Sequence, residues 1–297
     1  MYRRMFALAV MAVGLAALPA TASAAGARSP HYYLALGDSL SQGMQPNFNG
    51  VLQDTDQGYA DDLVAAESAH VHNLQLVKLG CGGETTTSML TGKGNAADAR
   101  RFHCQHAGGS QLTAAVRFLK SHHRAGEVPL VTIDIGANDI DGCATAANIG
   151  ACVTTGIANI SRNVPKILQA LREAAPAGTR FAGMTLYDPV LAGYFSNDAN
   201  TRALAAASPL LLKEVNDKLT SDFQQAGFKT ADVAGAFNSY DSAATATWEG
   251  NQIPVNVATV CSWTWACQTP PSGPNIHANK NGYAVIAAAF ARVIGRL

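Results

Sequence analysis

The sequence predicts an α/β fold, in which helices cover both faces of a five-stranded parallel sheet to give a three-layer α/β/α sandwich. Three observations support this prediction. Strand patterns alternate with helix patterns along most of the chain, the strands are short apolar runs, and glycine-containing turns follow three of them directly. Strands that alternate with helices pair in parallel, because each helix carries the chain back to the end of the sheet where the next strand begins.

The five predicted strands are runs in which apolar, aromatic and β-branched residues dominate, as in strands that are buried on both faces. The first of them leads directly into a Gly-Asp-Ser turn at residues 37–39. The strands are predicted over residues 32–36, 74–79, 128–135, 180–186 and 228–233.

Six helices are predicted from the helical spacing of apolar residues and from residues that favour helix ends. The fifth is predicted to start at Pro209, and Asn279 or Asn281 is expected to cap the last one. The helices are predicted over residues 59–66, from Gly83 or Glu84 onwards, and over 112–123, 157–174, 209–226 and 282–294. Residues 238–276 show little periodicity and are predicted to form an irregular arm.

The first 24 residues have the pattern of a secretory signal peptide, so residues 25–297 are expected to form one exported domain. Arg3 and Arg4 precede an apolar run at 6–18, and Ala22-Ser23-Ala24 is a small-residue cleavage site. This run is too short to span a bilayer, which disfavours the alternative of a retained membrane anchor. No other stretch is apolar enough for an integral membrane span, and the protein is expected to be secreted.

The composition fits a single enzyme-sized domain of near-neutral charge. The chain has 297 residues, 48% of them hydrophobic, which is enough for a sizeable core. Of its 21 basic residues, Arg3 and Arg4 fall in the signal peptide, so 19 face 21 acidic residues in the mature chain. Without a basic stripe, nucleic acid is not expected as a partner, and the chain is expected to be a monomer.

The six cysteines favour disulfides, because the chain is expected outside the cytoplasm. Six cysteines permit 15 pairings. Sequence order favours three local loops, namely Cys81–Cys104, Cys143–Cys152 and Cys261–Cys267. Zinc binding is the competing use of cysteine, but neither a CxxC nor an HExxH spacing occurs, so no metal is expected.

Three turns with chemically useful residues follow predicted strands and should therefore meet at one edge of the sheet. They are the Gly-Asp-Ser turn at 37–39, the glycines at 80–83 and the Gly-Ala-Asn turn at 136–138. A serine hydroxyl becomes a useful nucleophile when a base accepts its proton and donors await the oxyanion. Ser39 is the candidate nucleophile. A plain strand-to-turn corner is the alternative for each turn taken alone.

Together these residues resemble the blocks of the SGNH (GDSL) hydrolase superfamily, in the family's order and over nearly the whole mature chain. The matching stretches are 37–41, 82–86, 136–139 and 276–279. The resemblance implies a flavodoxin-like fold and an esterase or lipase activity that requires no cofactor.

The resemblance also implies a role for each matching residue. Ser39 is the expected nucleophile and His277 the general base. Gly83, with Gly82 as the alternative, and the Asn138 amide are expected to donate to the oxyanion, together with the backbone N–H of Ser39. A histidine base must be neutral to act, so the rate should fall below about pH 6.5 unless the environment shifts the pKa of His277.

The last block departs from the family pattern. The family places an Asp three residues before the histidine, and this chain has Pro274 there. We therefore predict a Ser39–His277 dyad in which Asn275 or a backbone carbonyl orients the imidazole, with Asp241 as a distant alternative.

The expected substrate is a small-molecule or lipid ester, and the acyl chain length is left open. Residues 187–195 and the three tryptophans, Trp248, Trp263 and Trp265, could line an acyl groove or pack around Cys261–Cys267. A carbohydrate acetyl esterase is the main alternative enzyme. A non-catalytic binding module on the same fold and a disulfide-stabilised surface protein are alternatives outside the enzymes. An α/β-hydrolase esterase is disfavoured because no G-x-S-x-G elbow occurs.

Overall fold

The computed structural model describes residues 29–93, 104, 106 and 109–297. The expected signal peptide, residues 1–24, lies outside the described residues. Among the described residues, no helix combines the length and apolar character that crossing a membrane requires.

A five-stranded sheet with all strands parallel forms the centre of the fold, as the sequence predicts. Its order is β2-β1-β3-β4-β5, the flavodoxin-like order. The chain adds β2 on one side of β1 and then crosses to add β3 on the other, so a crevice opens between the carboxyl ends of β1 and β3. The strands are β1 His31–Gly37, β2 Leu74–Lys78, β3 Leu130–Asp134, β4 Arg180–Met184 and β5 Lys229–Ala231.

Helices cover both faces of this sheet. They are α1 Tyr59–Glu67, α2 Thr86–Thr91, α3 Gln111–Ser121, α4 Ile149–Ala174, α5 Ala199–Gln225, α6 Val233–Ala236, α7 Val255–Trp263 and α8 Lys280–Ile294. Three 3₁₀ segments, Ala137–Asp139, Asp141–Thr145 and Pro189–Phe195, lie in the turns near the crevice. Three short antiparallel pairs complete the described part: Gln45–Pro46 with Leu52–Gln53, Thr245–Trp248 with Asn251–Pro254, and Thr264–Trp265 with Asn275–Ala278.

The alternation of side chains along β1 divides the core into two layers. Leu34 and Leu36 pack into a cluster with apolar residues of α3, α4 and α5. Tyr33 and Ala35 point to the opposite face and pack with α1 and α8. This alternation explains why β1 reads as a continuous apolar run: both of its faces are covered.

Two long helices begin earlier than the sequence predicts. Helix α4 starts at Ile149 rather than 157, and α5 starts at Ala199 rather than at Pro209. A proline inside a helix removes the N–H that would reach the carbonyl four residues earlier, here that of Ala205. The helix nevertheless continues through Pro209, and the Ser208 hydroxyl oxygen lies 3.0 Å from this carbonyl oxygen.

The prediction of an irregular arm over 238–276 is wrong in part, because the arm contains a hairpin and the nine-residue helix α7. Residues 256–261 of α7 are all buried. A helix that is buried on every side has no polar face and therefore shows no helical period in its sequence. The start of α2 is also displaced: Thr85 caps it by accepting from the Ser88 N–H, so the helix begins at Thr86.

The six cysteines form three local disulfides, Cys81–Cys104, Cys143–Cys152 and Cys261–Cys267. The first lies beside the glycines that follow β2, and the second joins the 3₁₀ segment after β3 to the first turn of α4. The third joins α7 to the segment that leads towards His277.

Candidate active site

The turn that carries Ser39 is fixed by contacts that require glycine at position 37. Gly37 has φ +132°, and a Cβ there would lie 1.9 Å from the Asp134 carbonyl oxygen. The Gln111 side chain accepts from the Gly37 N–H (2.7 Å) and donates to its carbonyl (2.8 Å). Asp38 Oδ1 accepts from the Leu40 N–H (3.0 Å) and from the Ser39 hydroxyl (3.5 Å), which closes a tight turn around the serine.

A buried carboxyl pair lies beneath this turn. The Asp38 N–H donates to Asp134 Oδ2 (3.2 Å), and the Tyr59 hydroxyl donates to Asp134 Oδ1 (2.5 Å). Burial raises the pKa of Asp38 to about 6. Burial, followed by the charge of Asp38, raises the pKa of Asp134 well above its ordinary value. Of the two carboxyl groups, Asp134 is therefore the one whose protonated form the surroundings favour more strongly, because two buried charges side by side are unfavourable.

The sequence analysis did not identify Asp134 as part of this site. It is the only ionisable residue in β3, whose five residues are all buried. A lone carboxyl group in a fully buried strand was the signal that could have identified it, because such groups need a partner.

The Asn138 amide reaches the crevice from the 3₁₀ segment that follows β3. Its Nδ2 donates to the Glu84 carbonyl (3.1 Å) and to Asp38 Oδ2 (3.2 Å). The neighbouring Asp139 accepts from the Thr86 N–H (2.8 Å) and hydroxyl (2.7 Å). These bonds join the segment after β3 to the segment after β2, so Asn138 and the glycines at 82 and 83 stand at one edge.

His277 lies in the short strand Asn275–Ala278, and Asn275 contacts it twice. Asn275 Oδ1 accepts from the His277 backbone N–H (3.0 Å) and lies 2.6 Å from Nδ1. Since a backbone N–H can only donate, the atom it meets is the amide oxygen, which fixes the orientation of the amide. Nδ1 must then carry a proton, and the lone pair of the neutral ring is on Nε2. Burial lowers the pKa of His277 to about 4, so the ring is neutral at pH 7.

Tyr187 anchors the segment around His277, although the sequence predicts it only as a candidate residue of the acyl groove. The Tyr187 hydroxyl donates to the Ile276 carbonyl (2.7 Å), and its ring stacks on Phe237 at a centroid distance of 4.7 Å. Asp241, the distant alternative for orienting the imidazole, instead accepts from the N–H groups of Ala243 and Ala244 in its own turn.

One cavity of about 250 Å³ brings the candidate residues together. Its lining includes Ser39, Gly82, Gly83, Asn138 and His277. The rest of the lining is mainly apolar, and it includes the carboxylates of Asp38, Asp141 and Asp188. An arrangement of a serine, a neutral imidazole and an amide donor around one apolar cavity is suited to acyl transfer.

The predicted acyl-groove residues divide between the cavity and the surface. Tyr187, Pro189 and Val190 line the cavity. The three tryptophans are all described, and none of them is among its lining residues. Trp248 packs on Phe195 instead, and Trp263 packs edge-on against Phe237.

Comparison with known proteins gives a match for almost the whole described domain. The sequence model of the family described as GDSL-like Lipase/Acylhydrolase matches residues 33–290. No curated protein matches the chain.

Solved structures with the same fold include an extracellular lipase from Streptomyces rimosus, with a TM-score of 0.53 and 16% sequence identity, covering 89% of this chain and 99% of that one. They also include a variant of the acetyl xylan esterase Axe2 from Geobacillus stearothermophilus, with a TM-score of 0.54 and 15% identity, covering 90% of this chain and 96% of that one. At these identities the likeness concerns the fold.

Proposed function

The chain belongs to the GDSL-like lipase/acylhydrolase family and is a carboxylic ester hydrolase. From that premise we propose that it is a secreted lipase or esterase that uses Ser39 as nucleophile and His277 as general base. The observation that carries the proposal is the single cavity lined by Ser39, Gly83, Asn138 and His277. The three disulfides and the signal-peptide pattern support secretion.

In the first half of the reaction, Nε2 of His277 takes the Ser39 proton while Oγ attacks the ester carbonyl carbon. The resulting imidazolium donates this proton to the leaving alcohol, and the acyl group remains on Ser39. Water then gives a proton to the same nitrogen and attacks the acyl-enzyme, which releases the carboxylic acid and restores Ser39. Protonation of Nδ1 leaves Nε2 free for both steps.

The oxyanion of each tetrahedral intermediate would receive hydrogen bonds from the N–H groups of Ser39 and Gly83 and from the Asn138 amide. The Asn138 amide is held in advance by the Glu84 carbonyl and the Asp38 carboxylate. Both N–H donors of this amide are engaged in the structure, so one of them has to change partner when the oxyanion forms. The developing negative charge is a stronger acceptor than the neutral carbonyl of Glu84, which favours exchange of that hydrogen bond in the transition state.

Asn275 takes the orienting role that a carboxylate has in a triad. When a triad aspartate is replaced by asparagine, activity falls because the amide can favour the wrong imidazole tautomer. Here the backbone N–H of His277 fixes the amide oxygen towards the ring, which supports the productive tautomer. An uncharged oxygen stabilises the imidazolium less than a carboxylate would.

The test is hydrolysis of p-nitrophenyl butyrate and labelling by a fluorophosphonate probe, measured for wild type and Ser39→Ala. We expect wild type to be active and labelled, and Ser39→Ala to lose both properties. Ser121→Ala, at the exposed end of α3, is the matched control and should behave as wild type. Full activity in Ser39→Ala would contradict the proposed nucleophile, and an inactive, unlabelled wild type would favour a binding module.

A further inference from the structure

Resting on the proposed ester hydrolysis, we propose that the apolar side of the cavity is a binding site for the acyl chain of medium- or long-chain esters. We further propose that the segment closed by Cys143–Cys152 forms the outer wall of this site and limits the chain length. We call residues 140–153 the clasped segment.

Two helices present matching apolar faces to the cavity. Helix α5 contributes positions 204, 208, 211, 212 and 215, which lie on one face because positions three or four residues apart are neighbours on a helix surface; all but Ser208 are apolar. Helix α4 contributes two side chains one turn apart. The residues are Leu204, Leu211, Leu212 and Val215 from α5, and Ile149 and Val153 from α4.

The inner end of this apolar site is closed by the core beneath the oxyanion turn. A Cβ on Gly136 would lie 3.5 Å from Ile160 Cδ1 and 3.9 Å from Leu219 Cδ2. Ile160 and Leu219 continue the same faces of α4 and α5, and both are buried in the core. The outer end is bounded by Ile149 of the clasped segment and by Leu211, which are 37% and 38% exposed and therefore still mostly covered. A chain attached at Ser39 would therefore be directed outwards between the helices.

The disulfide determines where the outer wall stands. Cys143 itself lines the cavity, and its bond to Cys152 fixes the two Cα atoms 5.5 Å apart. Helix α4 also packs closely on the turn after β3, since a Cβ on Gly156 would lie 2.4 Å from the Asp139 carbonyl oxygen. The first turn of α4, which carries Ile149 and Val153, is therefore fixed against the turn that carries Asn138.

Besides Asp38 of the serine turn, the lining has two carboxyl groups, those of Asp141 and Asp188. Asp188 is buried, and its carboxylate already accepts from the Ser208 hydroxyl (2.7 Å) and the Val190 N–H (3.1 Å). None of the three described tryptophans lines the cavity to offer a stacking surface. An acetyl group would leave most of the apolar wall in contact with water, whereas each added methylene removes apolar surface from it.

The first experiment is a p-nitrophenyl ester series from acetyl to dodecanoyl on wild type, Val153→Trp and Ala158→Trp. Ala158 is exposed on the same helix and is not a lining residue, so it is the matched control. For wild type we expect kcat/KM to rise about fourfold per methylene over the first added carbons. Val153→Trp should lower the octanoyl-to-acetyl ratio of kcat/KM at least about tenfold, and Ala158→Trp should leave this ratio unchanged.

The outcomes separate this inference from the proposed function. A wild type that prefers the acetyl ester, or an unchanged ratio in Val153→Trp, overturns the acyl site while the serine mechanism stands. Hydrolysis of no ester at all overturns both.

The second experiment tests the clasped segment with the double variant Cys143→Ser/Cys152→Ser. Without the disulfide, the clasped segment should be held less firmly and should accommodate longer acyl chains. The dodecanoyl-to-octanoyl ratio of kcat/KM should then rise at least about threefold. The same series on wild type treated with a thiol reductant provides a readout that does not depend on folding of the variant. An unchanged profile in both samples overturns the role of the disulfide.

Discussion

The two halves of the candidate site are built in different ways. Ser39 and Asn138 follow adjacent strands of the central sheet, and buried hydrogen bonds from Gln111, Asp134 and Glu84 hold the turns around them. His277 comes from a four-residue strand outside that sheet, which pairs with Thr264–Trp265. The nucleophile side is therefore fixed by the fold itself, whereas the base side depends on a few specific contacts.

The two halves also differ in where they place carboxyl groups. The orienting partner of His277 is an uncharged amide, and the buried carboxyl pair lies under the serine turn instead. This difference predicts that substitutions on the base side change the pH dependence, whereas those on the serine side change transition-state binding or stability.

Replacement of His277 by Gln should reduce kcat by about 10³-fold or more, because Nε2 of His277 is the proposed acceptor of the Ser39 proton and Gln cannot take a proton. Steady-state hydrolysis of p-nitrophenyl butyrate measures the loss. The exposed His123 provides a control, and His123→Gln should retain full activity. A His277→Gln variant with near wild-type kcat would place the base elsewhere.

Replacement of Asn138 by Ala should reduce kcat by about 10²–10³-fold, the usual effect of removing one oxyanion donor. KM should change little, because the hydrogen bond strengthens in the transition state rather than in the bound substrate. Separate measurement of kcat and KM distinguishes a loss of transition-state binding from a loss of substrate binding. A loss confined to KM would indicate that Asn138 contacts ground-state substrate and not the oxyanion.

Replacement of Asp134 by Ala should lower the free energy of unfolding by about 3 kcal/mol, because Asp38 and the Tyr59 hydroxyl both lose a buried partner. Asp134→Asn should lose less, since its amide oxygen can still accept from the Tyr59 hydroxyl and its N–H can donate to the Asp38 carboxylate, although it cannot accept from the Asp38 N–H as Oδ2 does. Urea denaturation of the two variants gives the comparison. Equal losses in both variants would mean that the pair does not depend on a proton held by Asp134.

The serine side could be predicted from the sequence because it follows strands of the central sheet. The base side could be predicted only in part, because it lies outside that sheet. A parallel sheet gathers whatever follows its strands, so the turns at 37–39 and 136–138 had to meet. The position of His277 depends on the arm, and helix α7 within it has no sequence period because it is buried on all sides. The Tyr187 contact to Ile276 joins segments far apart in sequence, and no local pattern encodes it.

The proposed acyl wall could be predicted only in part, for a related reason. Ile149, Val153 and Leu204 lie ahead of the predicted starts of α4 and α5, whereas the other wall residues lie within the predicted helix 209–226. Proline is typical of a helix start, whereas Pro209 lies inside this helix. Of the predicted groove aromatics, Tyr187 lines the cavity, whereas Trp248 packs on Phe195 and Trp263 packs on Phe237.

The smallest effect should come from Asn275, and it should appear mainly in the pH profile. Because burial lowers the pKa of His277 to about 4, wild-type kcat/KM should stay level from pH 7 to about pH 5 and be half lost near pH 4. Asn275→Ala should cost about tenfold in kcat, since the ring loses its orientation. Asn275→Asp should move the acid limb up by about one to three pH units, because a carboxylate beside Nδ1 favours the imidazolium.

The pH–rate profile of all three proteins checks this prediction. A wild-type limb centred near pH 6 would instead assign control to Asp38, because burial raises the pKa of its carboxyl group to about 6. In that case Asn275→Asp should leave the limb in place, whereas a histidine-controlled limb must move. Whether the acid limb shifts in Asn275→Asp therefore decides which half of the site, the serine turn or the arm, sets the acid limit of the enzyme.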